Sequence, residues 1–283
     1  MLDRISDRVF ADVSGKFGGN FGLVVLDDQI VFIDSGQVHT HTSKVRDWAL
    51  SEFNLPTTKV IFTHYHSDHV FGAQGLGTVS RIGSARMREI CTTNLDDNWR
   101  KEAIIESMRS RKDERPELWT AVQSLELKLP DIIFETSLKV GDKGEIDVQH
   151  IGGHTAGSSV VSIEPEHILF IGDLIFHGTF PYAGDPTSSP DKWIEGLQEI
   201  IKEDYSIIVP GHGAPCDNKE LQTHVDFFTE LRKSVRDAMS RGISAEKFLE
   251  QDQMPSHYAG GLDQRAPSTI EHYYDFYGMA EKE

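Results

Sequence analysis

The chain has 283 residues, with 28 Lys and Arg against 45 Asp and Glu, so its formal net charge is −17 with histidine neutral. This charge and a sequence pI near 5.1 argue against a nucleic-acid partner, because such binding requires clustered basic side chains. No run approaches the roughly 18 apolar residues of a membrane span, and the charged opening MLDRISDRVF lacks the apolar stretch of a signal peptide. We therefore expect a cytoplasmic protein with a large core, a small-molecule substrate and no nucleic-acid or membrane partner.

The two cysteines, Cys91 and Cys216, lie far apart, and neither belongs to a CxxC motif. This usage argues against a disulfide framework and against a thiolate zinc site. We expect two free, unreactive thiols.

The N-terminal part of the chain predicts strands followed by a helix. Residues 22–34 (GLVVLDDQIVFID) predict a hairpin with a polar turn. Ser43 is a candidate N-cap for a helix that runs to Leu50, and Pro56 prevents its continuation. A short apolar strand follows at 60–62.

The rest of the chain alternates between the two kinds of element. Apolar residues at helical spacing predict a helical insertion over about 84–130, whose last helix starts at Pro116. Further strands are predicted at 137–140, 146–151, 158–163 and 168–171, further helices at 191–202 and 218–240, and a helical tail over about 217–283. Because no repeat, low-complexity tract or long linker interrupts the chain, we predict one α/β domain over 1–283.

The most informative pattern is a short apolar run that ends in a metal-binding type of residue, and it occurs four times. The residues delivered in this way are His64, His66, Asp68 and His69 after the first run, then His154, Asp173 and His212 after the other three. Side chains that gather at one edge of a sheet form a cleft whose geometry the strands hold rigid. Imidazole and carboxylate ligands suit zinc, manganese or iron, and seven ligands for two ions leave open coordination positions, as a catalytic site requires.

These segments together resemble the metallo-β-lactamase fold superfamily of hydrolases, with a ligand set similar to that of glyoxalase II. The motifs that carry the resemblance are THYHSDHVFG at 63–72, GHTAGS at 153–158, GDLIF at 172–176 and PGHG at 210–213. The resemblance implies an αββα sandwich with the site at one edge, here carrying the helical insertion and the helical tail.

The resemblance also implies a role for each of the seven residues. His64, His66 and His154 would hold one divalent metal, Asp68, His69 and His212 would hold a second, and Asp173 would bridge the two. The two ions, with zinc favoured and iron or manganese as alternatives, would share a hydroxide that attacks a small ester, thioester, lactone or phosphoester. Asp68 would orient this nucleophile and accept its proton.

Several residues differ from the pattern of particular branches of the superfamily, and these differences disfavour the activities of those branches. The bridging Asp173 disfavours the true β-lactamases, His66 disfavours the flavodiiron oxygen reductases, and Ile175 and Phe176 stand where the lactonase branch has a tyrosine. A nuclease is disfavoured by the acidic pI. Two alternatives stay open: a persulfide dioxygenase with one iron on His64, His154 and Asp173, and a metal-binding module without catalytic activity.

Residues outside the ligand set are candidates for substrate contacts. His177 and Tyr182 follow the bridging aspartate closely and could line the pocket or donate to an oxyanion. Trp99, Met108 and Trp119 could form an apolar lid or could pack the insertion onto the sandwich. Asp34, at the end of a predicted strand, is expected to orient metal ligands.

The aromatic motif at 272–277 (HYYDFY) is expected to be a docking face or the seam of a possible homodimer.

Overall fold

Two β-sheets form the centre of the protein. The computed structural model describes residues 2–164, 166–251, 254–257 and 264–280. Seven strands form the first sheet, in chain order: β1 (Asp3–Arg4), β2 (Val9–Asp12), β3 (Phe21–Val25), β4 (Ile30–Ile33), β5 (Thr57–Ile61), β6 (Ser80–Ser84) and β7 (Ile132–Phe134). Strands β1 to β4 pair antiparallel, and β4 to β7 pair parallel.

Five strands form the second sheet, in the order β12-β11-β10-β9-β8. They are β8 (Ser137–Val140), β9 (Ile146–His150), β10 (Ser159–Ile163), β11 (Ile168–Phe176) and β12 (Ile207–His212). Only the β11/β12 pair is parallel, and the other neighbours in this sheet run antiparallel. The parallel pair places the C-terminal ends of β11 and β12 at the same edge.

The helices cover the outer faces of the sheets. They are α1 (His39–Phe53), α2 (Ser67–Val70), α3 (Ala85–Leu95), α4 (Lys101–Met108), α5 (Pro116–Gln123), α6 (Pro190–Ile200), α7 (Asn218–Ser240), α8 (Ala245–Glu250) and α9 (Ala266–Ala280). Short 3₁₀ helices span Phe71–Leu76, Arg109–Arg111 and Ile201–Glu203.

Three apolar clusters hold these layers together, because strand side chains alternate between two faces. In β3, Leu23 belongs to the cluster beneath α1, α3 and α5, whereas Val24 belongs to the cluster between the sheets. In β11, Leu169 faces the cluster beneath α6, α7 and α9, and Phe170 faces the other sheet. The order of layers is helices, sheet, sheet, helices, so the predicted αββα sandwich is confirmed.

Two boundaries differ from the sequence prediction. Helix α1 begins at His39 and not after Ser43. Its N-cap residue is Val38, which has no side chain that can cap the helix. Its first turn is held from outside, since the Thr42 hydroxyl donates to the carbonyl of Ser35 at 2.7 Å. Strand β11 continues five residues beyond the predicted end at 171, with register irregularities around Gly172.

The helices predicted for the insertion and the tail are present, and Pro116 occupies the first turn of α5 as expected. In the aromatic motif of the tail, Tyr273 and Tyr277 are buried against α6 and α7. Those two rings therefore pack within the chain, and a homodimer stays a prediction. No helix within the described ranges is long and apolar enough to cross a membrane.

Both cysteines are free. Burial raises the pKa of the Cys91 and Cys216 thiols to about 12, which keeps both protonated and unreactive at neutral pH.

Candidate metal centre

The first sheet delivers its polar residues directly after β4 and β5. Asp34 follows β4, and His64 and His66 follow β5. The chain then enters α2, a single turn of helix that presents Asp68 and His69. Asp34 adopts φ 55°, a left-handed conformation that is strained for a residue with a side chain, and its carboxylate makes the contacts described below.

The second sheet supplies the remaining three residues. His154 lies in the loop between β9 and β10, Asp173 lies within the irregular part of β11, and His212 is the last residue of β12. The approach of β12 to β11 is close, since a Cβ atom at Gly211 would overlap the Asp173 carboxylate. Glycine at 211 thus leaves room for the carboxylate beside His212.

The structure brings all seven residues together in two adjoining groups. The first group contains His64, His66, His154 and Asp173, and the second contains Asp68, His69 and His212. Within each group the ligand atoms lie within 4.8 Å of one another.

Asp173 faces both groups. Its Oδ1 lies 3.0 Å from Nε2 of His69, and its Oδ2 lies 3.4 Å from Nε2 of His212. The same Oδ2 lies 3.7 Å from Nε2 of His64 and 3.6 Å from Nε2 of His154. The carboxylate is therefore placed where a bridging ligand would be.

Asp34 fixes two of the imidazoles from behind. Its Oδ2 accepts a hydrogen bond from Nδ1 of His69 at 2.8 Å and another from the Thr63 hydroxyl at 2.7 Å. Because this hydroxyl already donates its proton to Asp34, its oxygen accepts from Nδ1 of His64, 3.1 Å away. In their neutral form both rings thus carry their proton on Nδ1 and direct the Nε2 lone pair toward the centre.

Acceptors fix the other two imidazoles of the first group. Nε2 of His66 donates to Oδ2 of Asp185 at 2.9 Å, and Nδ1 of His154 donates to the carbonyl of Tyr182 at 3.0 Å. The remaining nitrogens, Nδ1 of His66 and Nε2 of His154, are 3.0 Å apart. Two lone pairs at this distance repel each other unless a cation or a proton lies between them.

The donor set fits divalent metal ions. Nε2 of His64 is buried and has no hydrogen-bond partner, although a buried polar atom normally has one. Nε2 of His69 and Oδ1 of Asp173 are also buried, and although they lie 3.0 Å apart they are not aligned for a hydrogen bond. Neutral imidazoles and carboxylates that point orphaned lone pairs at one spot are the ligands of zinc and of similar ions. Hydrogen bonds behind the ligating rings, as seen here, are also typical of metal sites.

The pKa values of the metal-free centre divide the histidines into two kinds. Burial lowers the pKa of His64 well below its usual value and that of His154 to about 4, so both rings are neutral at pH 7. Burial acts in the same direction on His69 and His212, but Asp173 and the neighbouring Asp34 and Asp68 outweigh it. The pKa of His69 is raised well above normal, and that of His212 is raised to about 9.

The carboxylates of Asp173 and Asp68 stay ionised because the neighbouring imidazoles outweigh the effect of burial. Burial alone would raise the pKa of Asp173, but the charges of His212 and His69 and the hydrogen bond from His212 hold it well below the usual range. Burial likewise raises the pKa of Asp68, but the hydrogen bond that its Oδ2 accepts from Nε2 of His212, 3.3 Å away, lowers the pKa below the usual range.

A cavity of about 550 Å³ opens over the centre. His66, Asp68, Asp173 and His212 are exposed to it, together with Ser67, Phe176, Tyr182 and the arginines Arg111 and Arg265.

The two residues predicted to contact substrate differ in position. Tyr182 lies in the wall of the cavity. Burial and the nearby Asp185 raise the pKa of its phenol, so the hydroxyl stays protonated and can donate a hydrogen bond. His177 is not part of the wall, because its Nδ1 bonds the carbonyl of Ala214 at 2.8 Å. The structure thus offers no support for substrate contact by His177.

Sequence reasoning missed Asp185, which holds His66. Asp185 is 2% exposed, and it also accepts hydrogen bonds from the Tyr65 hydroxyl and from the backbone and hydroxyl of Thr187. The hydrogen bond from His66, followed by those from Thr187 and Tyr65, keeps the pKa of its carboxyl below the usual range, against the effect of burial. Its only signal in the sequence is its place in the GDP turn, because its partner His66 lies 119 residues away.

Comparison with known proteins identifies the family. Residues 14–212 match the model of the metallo-β-lactamase superfamily, which is more than half of the chain. The chain belongs to the metallo-β-lactamase superfamily. The predicted membership is therefore confirmed, and together with the His/Asp site it supports a metal-dependent hydrolase in general terms.

Relatives of this superfamily member are distant in sequence. The linear primary-alkylsulfatase of Pseudomonas sp. (strain ATCC 19151) is 20% identical over 270 residues, which cover 84% of this chain and 50% of the relative. The 2,4-dinitroanisole O-demethylase subunit alpha of Nocardioides sp. (strain JS1661) is 21% identical over 249 residues, covering 87% and 65%. The chain thus spans about half to two thirds of the length of these relatives.

Solved structures share the fold. A double mutant of the sec-alkyl sulfatase PisA1 superposes with a TM-score of 0.75 at 14% identity, covering 98% of this chain and 50% of that one. The metallo-β-lactamase from Pontibacter korlensis superposes with a TM-score of 0.63 at 19% identity, covering 81% and 98%.

Proposed function

We propose that the chain is a binuclear metal-dependent hydrolase, with His64, His66 and His154 on one ion, Asp68, His69 and His212 on the other, and Asp173 between them. The observation that carries this proposal is the set of contacts behind the rings. Asp34 fixes His69 directly and His64 through the Thr63 hydroxyl. Asp185 fixes His66, and the Tyr182 carbonyl fixes His154. Each of the four imidazoles is thereby held in the tautomer whose free lone pair faces the centre. A merely structural cluster of histidines has no need of that arrangement.

The chain's own residues divide the work of hydrolysis. When bound, two divalent ions supply Lewis acidity, activating a water and polarising the scissile group. Asp68 borders the cavity, and its ionised Oδ2 is placed to accept the proton of the attacking water. Tyr182, with its protonated hydroxyl in the cavity wall, is placed to donate to the oxygen that becomes negative.

Zinc is the ion we favour, since the ligands are imidazoles and carboxylates, with iron or manganese as alternatives. The proposed substrates are small esters, thioesters, lactones and phosphoesters. The similarity to alkylsulfatases adds sulfate esters to this range. A cytoplasmic location stays a prediction.

The test is hydrolysis of one representative of each ester class by the zinc-loaded protein. Asp173→Asn should reduce kcat at least 100-fold, while Asp147→Asn, an aspartate of β9 outside the site, should leave it within twofold. Equal loss in both variants would contradict the assignment. Iron-dependent oxygen uptake with a glutathione persulfide, without hydrolysis of any ester, would replace the hydrolase by the dioxygenase alternative.

A further inference from the structure

A second cavity of about 510 Å³ adjoins the cavity over the metal centre. The two share His66 and Ser67 in their walls. The volume lies within the range of about 300 to 1,000 Å³ that is usual for small-molecule sites. The chain therefore offers a second compartment that lies next to the proposed reaction site.

The wall of this compartment is apolar on the inside. Phe71 and Ile104 are buried, and Ile90, Trp99 and Met108 are half-buried, all in the cavity wall. The exposed members of the wall include the polar residues Thr93, Asn98 and Ser107. Most of these residues belong to the insertion, so Trp99 and Met108 form part of a pocket wall as well as packing the insertion onto the first sheet.

The cavity over the metal centre has the opposite character, because charged side chains line it. Four carboxylates contact the imidazoles of the centre, those of Asp34, Asp68, Asp173 and Asp185, and they would offset the charge of two divalent ions. Among the described residues, the wall also contains the guanidinium groups of Arg111 and Arg265. Guanidinium groups are the usual partners of carboxylate, phosphate and sulfate groups, so this wall suits an anionic ligand.

The two arginines come from different parts of the chain. Arg265, just before α9, donates to the Thr179 hydroxyl at 2.7 Å, and its guanidinium lies 5.9 Å from the centroid of the Phe176 ring. Arg111 ends the 3₁₀ helix that follows α4. Insertion and tail thus each place one cation at the mouth of the cavity.

We propose that the substrate is an amphiphilic anion, whose apolar chain lies in the insertion pocket and whose charged group lies between Arg111 and Arg265. This inference names the substrate class of the proposed hydrolase and rests on that function. It follows from the position of an apolar compartment beside a cavity whose wall carries two arginines and the proposed metal ligands.

Calorimetric titration of zinc-loaded protein with n-alkylphosphonates of four to ten carbons tests the apolar compartment without turnover. Each added methylene should tighten binding about fourfold until the pocket is full. Thr93→Phe places a ring in the pocket and should abolish this gain for the longer probes. Thr92→Phe is the matched control, since Thr92 is the preceding residue of α3, is equally exposed, and lies outside the wall.

A second pair of variants tests the charged compartment. Arg111→Gln should weaken octylphosphonate about three- to tenfold and leave the neutral probe octanol unchanged. Arg109→Gln, in the same 3₁₀ helix but outside the wall, should change neither.

The outcomes separate this inference from the proposed function. Affinity that does not grow with chain length, or that grows equally in Thr93→Phe and Thr92→Phe, overturns the amphiphile even if the protein binds zinc and hydrolyses esters. Equal phosphonate affinity of Arg111→Gln and Arg109→Gln overturns the anion site. Absence of ester hydrolysis with a normal chain-length dependence would instead contradict the hydrolase and retain the pocket.

Discussion

Replacing Asp185 by asparagine should weaken the first metal site through a residue that is not a ligand. Oδ1 of Asp185 accepts two hydrogen bonds from Thr187, so the amide oxygen of an asparagine would take that position. The amide nitrogen would then face Nε2 of His66, which is 2.9 Å from Oδ2 in the wild type. Because that nitrogen can only donate, His66 would have to accept on Nε2 and carry its proton on Nδ1. The lone pair that faces His154 and the metal would be lost.

The expected loss of metal affinity follows from the position of Asp185 behind a ligating histidine. Loss of a partner behind a ligating histidine typically costs about 10- to 100-fold in metal affinity, which corresponds to about 1.4 to 2.7 kcal/mol. The removal of a buried negative charge beside the ion acts in the same direction. We therefore expect a value near the upper end of this range for the first ion, and a smaller change for the second.

Competition with a chromogenic chelator at pH 7.5 measures both zinc affinities. The matched control is Tyr65→Phe, which removes the other hydrogen bond to Oδ2 of Asp185 but leaves the carboxylate on His66. Its zinc affinities should stay within threefold of the wild type, and circular dichroism should show both variants folded. A folded Asp185→Asn protein with wild-type affinity at both sites would refute the tautomer argument.

Three further changes have predictable effects. Tyr182→Phe should lower kcat for the ester that the enzyme hydrolyses best by about 10- to 100-fold at unchanged zinc content, because an oxyanion donor is lost; unchanged kcat would exclude that role. Trp193→Phe should reduce the free energy of unfolding by about 1 to 3 kcal/mol in urea titrations, since the buried Leu174 carbonyl loses its 3.0 Å bond from the indole. Although burial opposes it, hydrogen bonding to His41 lowers the pKa of Asp12 from 3.8 to about 2. Because the pKa of Asp12 is lower in the folded than in the unfolded state, its carboxylate stabilises the fold at pH values above the unfolded-state pKa. This stabilisation is lost as the pH falls through the folded-state pKa. The stability deficit of Asp12→Asn should therefore be about 1 to 2 kcal/mol from pH 7 to 5 and shrink below pH 4, and a deficit that grew on acidification would contradict the assignment.

The sequence was sufficient to predict the fold and the seven residues that the structure gathers. The reason is local, since four strand ends carry the ligand-type residues and the ends of neighbouring strands meet at one edge. Asp34 could be predicted for the same reason, because it follows a strand directly. The start of α1 could not, because tertiary contacts such as that between Thr42 and Ser35 fix it where a capping residue is absent.

Side-chain contacts over long sequence separations set the limit of the prediction. Asp185 reaches His66 only when the loop after β11 folds over the first sheet, and no spacing in the chain encodes that approach. His177 is the opposite case. Its closeness to Asp173 in sequence predicted a place in the pocket, but its side chain forms a hydrogen bond with the Ala214 carbonyl. The pocket formed by α3 and α4 depends on how the insertion packs, which apolar periodicity alone leaves open.

In the proposed function, the chain holds two metal ions at one edge of the sandwich. Elemental mass spectrometry against protein concentration, on anaerobically purified protein before any chelator or metal is added, tests it most directly. We expect two divalent ions per chain, with zinc favoured, and a marked loss of the second ion in His212→Ala. One iron per chain, or no metal even after reconstitution with zinc, would contradict it.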